Sequence, residues 1–213
     1  MFRTVAGTSR ITPTTARRAV HPRAALRALA AVLAAGALLV LVVVRLGLRI
    51  NFTPSLPRGL YRAVGGPPAR GSIVIACVPP DIAPLALERR YLWRGDCRGG
   101  VVPVGKVVLG AAGDTIALTA AGLSVNGQAV PNSRPVARDS RGRPMPHYPY
   151  GTHVLGPGEL WLFSPFHPLS FDSRYFGPVP SAGVRSRLAP VWTTGPVVPR
   201  PGGDRGAPAV GDR

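Results

Sequence analysis

A mostly β domain behind one N-terminal membrane-spanning helix is the architecture this sequence predicts, on three observations. Residues 28–44, ALAAVLAAGALLVLVVV, run without a charge. Gly and Pro, 26 and 25 of 213 residues, recur too often for long helices and favour short strands joined by turns. Apolar residues make up 46% of the chain, enough for a core, and the length suits one domain with appendages. The expected division is a basic tail (1–27), a transmembrane signal anchor (28–48), a β domain (49–193) and a Pro/Gly-rich tail without fixed structure (194–213).

Residues 1–27 carry Arg3, Arg10, Arg17, Arg18, Arg23 and Arg27 and no acid. The apolar run that follows spans roughly 25 Å as a helix, near the lower limit for a bilayer. Snorkelling by Arg27 and Arg45, and the apolar residues 46–48, lengthen it. A cleaved secretory signal is the rival reading. No small-x-small site follows the run, so an uncleaved anchor is favoured. Five arginines before the run and four after it give only a slight bias toward a cytoplasmic N-terminus. The net charge of +17 points to nucleic acid or anionic lipid. The arginines are scattered, however, with no basic helix, RNA-binding signature or zinc-finger spacing, and nucleic acid is not expected as a partner. The lipid bilayer is.

In the β domain, residues 51–61 (NFTPSLPRGLY) form a shaped loop around Ser55, which lies about ten residues past the apolar run. Residues 60–64 and 72–78 read as strands, 79–98 as irregular with a single helical turn, and 101–109 as a buried β-branched strand. A Gly113-Asp114 turn leads to a strand at 115–118. Asn126-Gly127 closes a hairpin within 123–130, since both residues tolerate positive φ. Residues 131–157 read as a long surface excursion, 159–163 and 184–192 as strands. Cys77 and Cys97 allow one disulfide if the domain lies outside the cytoplasm, and otherwise stand as two thiols. His147, His153 and His167 lack metal-ligand spacing, and no metal or cofactor is expected. Trp93 and Trp161 read as core or membrane-proximal packing residues rather than binding aromatics.

The chemistry centres on Lys106, the chain's single lysine among 26 basic residues, set in VVPVGKVVLG. Arg cannot lose its proton in a protein, whereas burial can lower a Lys amine by several units and make it a base. Ser55, Lys106 and Asp172 occupy three separate apolar or turn-like settings. A hydrolase can use a Ser activated by neutral Lys in place of His.

TPSLPRG, GKVVLGAAGD and SFDSRYFGP, in this order behind an anchor, resemble the motif series of type I signal peptidases, nearest to the conjugative-transfer (TraF-type) branch. The resemblance covers about residues 49–193 and implies a Ser–Lys peptidase domain of signal-peptidase-like β fold. It implies Ser55 as nucleophile and Lys106 as general base. Thr53 would assist the oxyanion hole and Ser170 would orient the amine. Asp172 and Arg174 would brace the site by an ionic contact, with Gly113 and Asp114 a structural turn. It further implies an exported precursor, such as a pilin, bound as an added strand, and a catalytic domain on the periplasmic face of the bacterial inner membrane. The branch commonly shows cysteines near Cys77 and Cys97. Two departures from the housekeeping enzymes are Val107 in place of Arg and SPFHPL in place of the Gly-Asp-Asn stretch; both favour the specialised branch. An autocleaving LexA-type repressor would need a DNA-binding head and no anchor. A non-catalytic envelope scaffold would leave the three ordered motifs unexplained.

Overall fold

The structure, a computed structural model, describes residues 22–197, which form two compact units divided at Val43/Val44. The first described element is α1 (Pro22–Arg45), opened by a proline, which needs no amide partner in a first turn. Within it Ala25–Arg45, 21 residues of mean hydropathy 2.5, is long and apolar enough to cross a membrane. The helix therefore starts before residue 28 and stops short of residue 48. Gly47, at φ 64°, donates its N–H to Val44 O at 3.0 Å and ends the helical path. Residues 46–48, read as part of the anchor, instead lead into a strand. Residues 1–21 of the basic tail and 198–213 of the C-terminal tail lie outside the described residues.

The β domain is built from two sheets. The strands are β1 (Leu48–Asn51), β2 (Gly59–Val64), β3 (Ile73–Ala76), β4 (Val104–Gly110), β5 (Thr115–Thr119), β6 (Gly122–Val125), β7 (Gln128–Ala129), β8 (Gly151–Val154), β9 (Glu159–Phe163), β10 (Val179–Pro180) and β11 (Val184–Thr193). Seven form one sheet in the order β1-β2-β11-β3-β4-β9-β10, and four form a second in the order β7-β6-β5-β8. Two short helices, α2 (Ala83–Glu88) and α3 (Ser173–Phe176), pack against the larger sheet. The hairpin at Asn126-Gly127 takes φ 50° and 80°, the mirror-image turn that matches strand twist. The expected surface excursion at 131–157 is only partly irregular, because its end forms β8 against β5.

β4 is the axis of the larger sheet. It pairs antiparallel with β3 and with β9, and both its faces are covered. Val104 and Val108 point into a core with Val74, Ala76, Leu162, Phe171 and Tyr175. Val107 packs with Leu56, Tyr61 and Ile73, and Leu109 with Ile116, Trp161 and Phe163. A strand buried on both faces reads as a continuous apolar run rather than an alternating one, which explains VVPVGKVVLG. Side chains alternate along a strand, so Lys106 shares the face of Val104 and Val108.

Candidate active site

The loop that carries Ser55 runs between β1 and β2. Prolines 54 and 57 deny it amide donors, so its carbonyls must be held by side chains. Asn51, the last residue of β1, supplies most of this. Its Nδ2 donates to the carbonyls of Thr53 (2.9 Å), Leu56 (3.0 Å) and Pro57 (3.2 Å). Its Oδ1 accepts from Thr53 N (3.2 Å) and Thr53 Oγ1 (2.8 Å). Tyr61 OH donates to Pro57 O at 2.6 Å, and Leu56 is buried beside it. Ser55, half-buried, is thus presented on a pinned turn. Asn51 was not singled out from the sequence, although an Asn opening a Pro-rich turn is a recognised side-chain-to-backbone signal.

Ser55, Thr53 and Lys106 line one cavity of about 320 Å³. Pro103, Val104 and Gly105 form one wall, and Tyr91, Met145, Phe171 and Tyr175 give it an apolar and aromatic character. Lys106 is 3% exposed. Burial pulls its amine down to about 8, nearby Asp172 opposes that fall, and the Arg174 guanidinium assists it. Among the described residues Lys106 makes no hydrogen bond to Ser55. Ser170 Oγ lies 3.4 Å from Ser55 Oγ, longer than a full hydrogen bond, so the hydroxyl read as orienting the amine adjoins Ser55.

Asp172 and Arg174 sit behind this cavity, both 0% exposed. Their pairing is bidentate, Nε to Oδ1 at 2.8 Å and Nη2 to Oδ2 at 2.9 Å. Arg174 also donates to the carbonyls of Arg134 (2.9 Å) and Ser170 (3.2 Å). Asp172 caps α3 by accepting from Arg174 N, and accepts from Ser164 N at 3.3 Å. The pair therefore ties α3, the 131–147 segment and the end of β9 together.

Gly113 and Asp114 stand away from the cavity. Gly113, at φ 86°, makes the turn after β4, and Asp114 accepts from Ala111 N (2.9 Å) and Asn126 Nδ2 (2.7 Å). Cys77 and Cys97 are joined by a disulfide. It links the chain just past β3 to the segment that follows α2 and carries the cavity residues Tyr91 and Trp93. Trp161 is buried, but Trp93 is 79% exposed at the cavity rim and does not pack in the core. Asp139 also lines the cavity. Tyr91, Arg143 and backbone N–H groups surround it and hold it well below the usual carboxylate range against the opposing effect of burial. Among the described residues no group of three or more His, Cys, Asp or Glu side chains is placed to hold a metal.

β9 pairs with β4 only from Val107 onward, while β3 pairs with it from Val104. Among the described residues, the β9-facing backbone of 104–106 thus has no strand partner in the sheet, and these residues line the same cavity as Ser55.

The family described as signal peptidase, peptidase S26, matches residues 22–192. The chain belongs to this family. Similar proteins include a plasmid transfer protein TraF of Escherichia coli, 39% identical over 149 residues that cover 69% of this chain and 83% of the relative. A probable conjugal transfer protein TraF of Sinorhizobium fredii is 42% identical over 155 residues, covering 70% and 79%. A signal peptidase I structure from Enterococcus faecalis, at 20% identity and a TM-score of 0.35, matches over 59% of this chain and 100% of that one. The chain is thus an S26-family protein of the TraF type, and among the described residues one N-terminal helix suits membrane anchoring.

Proposed function

We propose that the chain is a membrane-anchored serine endopeptidase that cleaves exported precursors, a conjugative pilin first among them, with its β domain on the periplasmic face of the inner membrane. The observation that carries this reading is the shared cavity. Its hydroxyl nucleophile sits with a buried lysine whose amine is brought down to about 8. Such an amine is partly neutral near physiological pH and can accept a proton.

The substrate enters as an extended strand along residues 104–106, where β4 lacks a partner in the sheet on one side. Neutral Lys106 takes the Ser55 proton, and Ser55 Oγ attacks the scissile carbonyl. The oxyanion rests on the Ser55 N–H. Thr53 Oγ1 joins it only by turning away from Asn51, to which it now donates. An acyl-enzyme forms, the leaving amine takes the proton from Lys106, and water releases the product. Where the substrate's own amine attacks instead, the product is cyclic. Gaps in unliganded catalytic geometry commonly close when substrate binds, and the Lys106–Ser55 contact is assigned to that step.

Co-expression with a precursor from the same transfer system, followed by mass spectrometry of the precursor, tests the reading. Wild type should change the precursor mass. Ser55→Ala and Lys106→Arg should not, the latter because it keeps charge but cannot give up a proton. An active Lys106→Arg protein would remove Lys106 as the base. Turnover should rise as pH passes about 8, the value to which burial brings the amine.

A further inference from the structure

Ser164 follows directly on β9 and is 0% exposed. Its Oγ donates to the backbone O of Ser55 at 2.6 Å. Its own N–H donates to Asp172 Oδ2 at 3.3 Å. The carbonyls of Thr53, Leu56 and Pro57 are held from nearby by Asn51 and Tyr61. The Ser55 carbonyl is secured from 109 positions along the chain. Ser164 also opens the SPFHPL stretch, so this segment brings a hydroxyl to the loop that carries Ser55.

We infer that Ser164 is a positioning residue for the nucleophile. It rests on the reading of Ser55 as nucleophile given above. The peptide plane that carries the Ser55 carbonyl is free to turn about the Ser55 Cα–C bond. Turning it shifts the Ser55 backbone relative to β4, and with it the aim of Oγ. The Ser164 hydroxyl fixes that plane. Because the Ser164 N–H is held in turn by Asp172, the buried ion pair acts on the nucleophile by a route that does not pass through Lys106. A misplacement of about 1 Å at a reacting atom costs on the order of a hundredfold in rate.

The test uses the full chain in detergent micelles and a peptide spanning the site cleaved in the precursor. Ser164→Ala should lower kcat about 10- to 100-fold, leave KM within about twofold, and leave the midpoint of the pH profile in place, because Lys106 keeps its surroundings. Ser164→Thr, which restores the hydroxyl, should recover most of the rate. Should Ser164→Ala fail to fold, Ser164→Cys, similar in size but a weak donor, should show the same loss of kcat. A wild type that cleaves nothing would overturn the peptidase reading and this inference with it. Active wild type would overturn this inference alone under any of three outcomes: Ser164→Ala turns over within twofold of wild type, Ser164→Thr is as impaired as Ser164→Ala, or the pH midpoint moves. The first means that the hydroxyl aims nothing. The second means that packing rather than donation matters, and the third that Ser164 acts on the base.

Discussion

Replacing Lys106 by methionine should raise the stability of the β domain while abolishing its chemistry, and the gain should depend on pH in a way that only a depressed amine produces. The two side chains are similar in length, so the strand keeps its packing. What changes is the protonation equilibrium. Burial holds the folded amine at about 8 against an ordinary 10.5. Between those values the unfolded chain binds more protons than the folded one, so wild-type stability rises with pH across that window and is lowest below it. A difference of about 2.5 units at about 1.4 kcal/mol each makes the full effect about 3–4 kcal/mol. The advantage of Lys106→Met over wild type should therefore be about 3 kcal/mol at pH 7 and fall to about 1 kcal/mol by pH 10. Urea titrations read the difference directly, because all three tryptophans, Trp93, Trp161 and Trp192, lie in the β domain. Groups that titrate in both proteins cancel. An advantage constant to within about 0.5 kcal/mol over that range would refute the depressed amine, and one that grew with pH would reverse its sign.

Two further outcomes follow from buried pairs and covalent closure. Arg174→Met leaves Asp172 buried without its partner, and should cost about 3–5 kcal/mol in urea titrations. The double variant Asp172→Leu/Arg174→Met should recover much of that, and a single variant within about 1 kcal/mol of wild type would show that the pair does not hold the site. Reducing the Cys77–Cys97 bond opens a loop of sequence separation 20 and should lower unfolding stability by about 3 kcal/mol. An unchanged denaturant midpoint after reduction would remove the disulfide from the account of the cavity wall.

The strands that carry most of the core were legible because their patterns are local. The apolar run around Lys106 is continuous because β4 is covered on both faces, and the Asn126-Gly127 turn announces its own hairpin. β1 was not legible, since LRIN adjoins the apolar helix and only Gly47 marks the break. β8, GTHV, is an exposed edge strand without alternation, so nothing in it separates strand from loop. The same division applies at the site. Lys106 stood out by composition, and Ser55 by its prolines and by resemblance. Asn51 carried a local turn signal that went unused. Ser164 carried none, because its contact with Ser55 exists only once β9 has docked beside β4.

The strand that buries Lys106 holds the chain's only primary amine on a side chain. Growth on isotopically labelled lysine would therefore place one labelled side chain in the whole protein. Its ε-carbon resonance would be a single line in the NMR spectrum, free of overlap with other lysines, and it would shift as that amine gains or loses its proton. The proton on this one amine, the proposed base, can thus be followed alone across a pH titration.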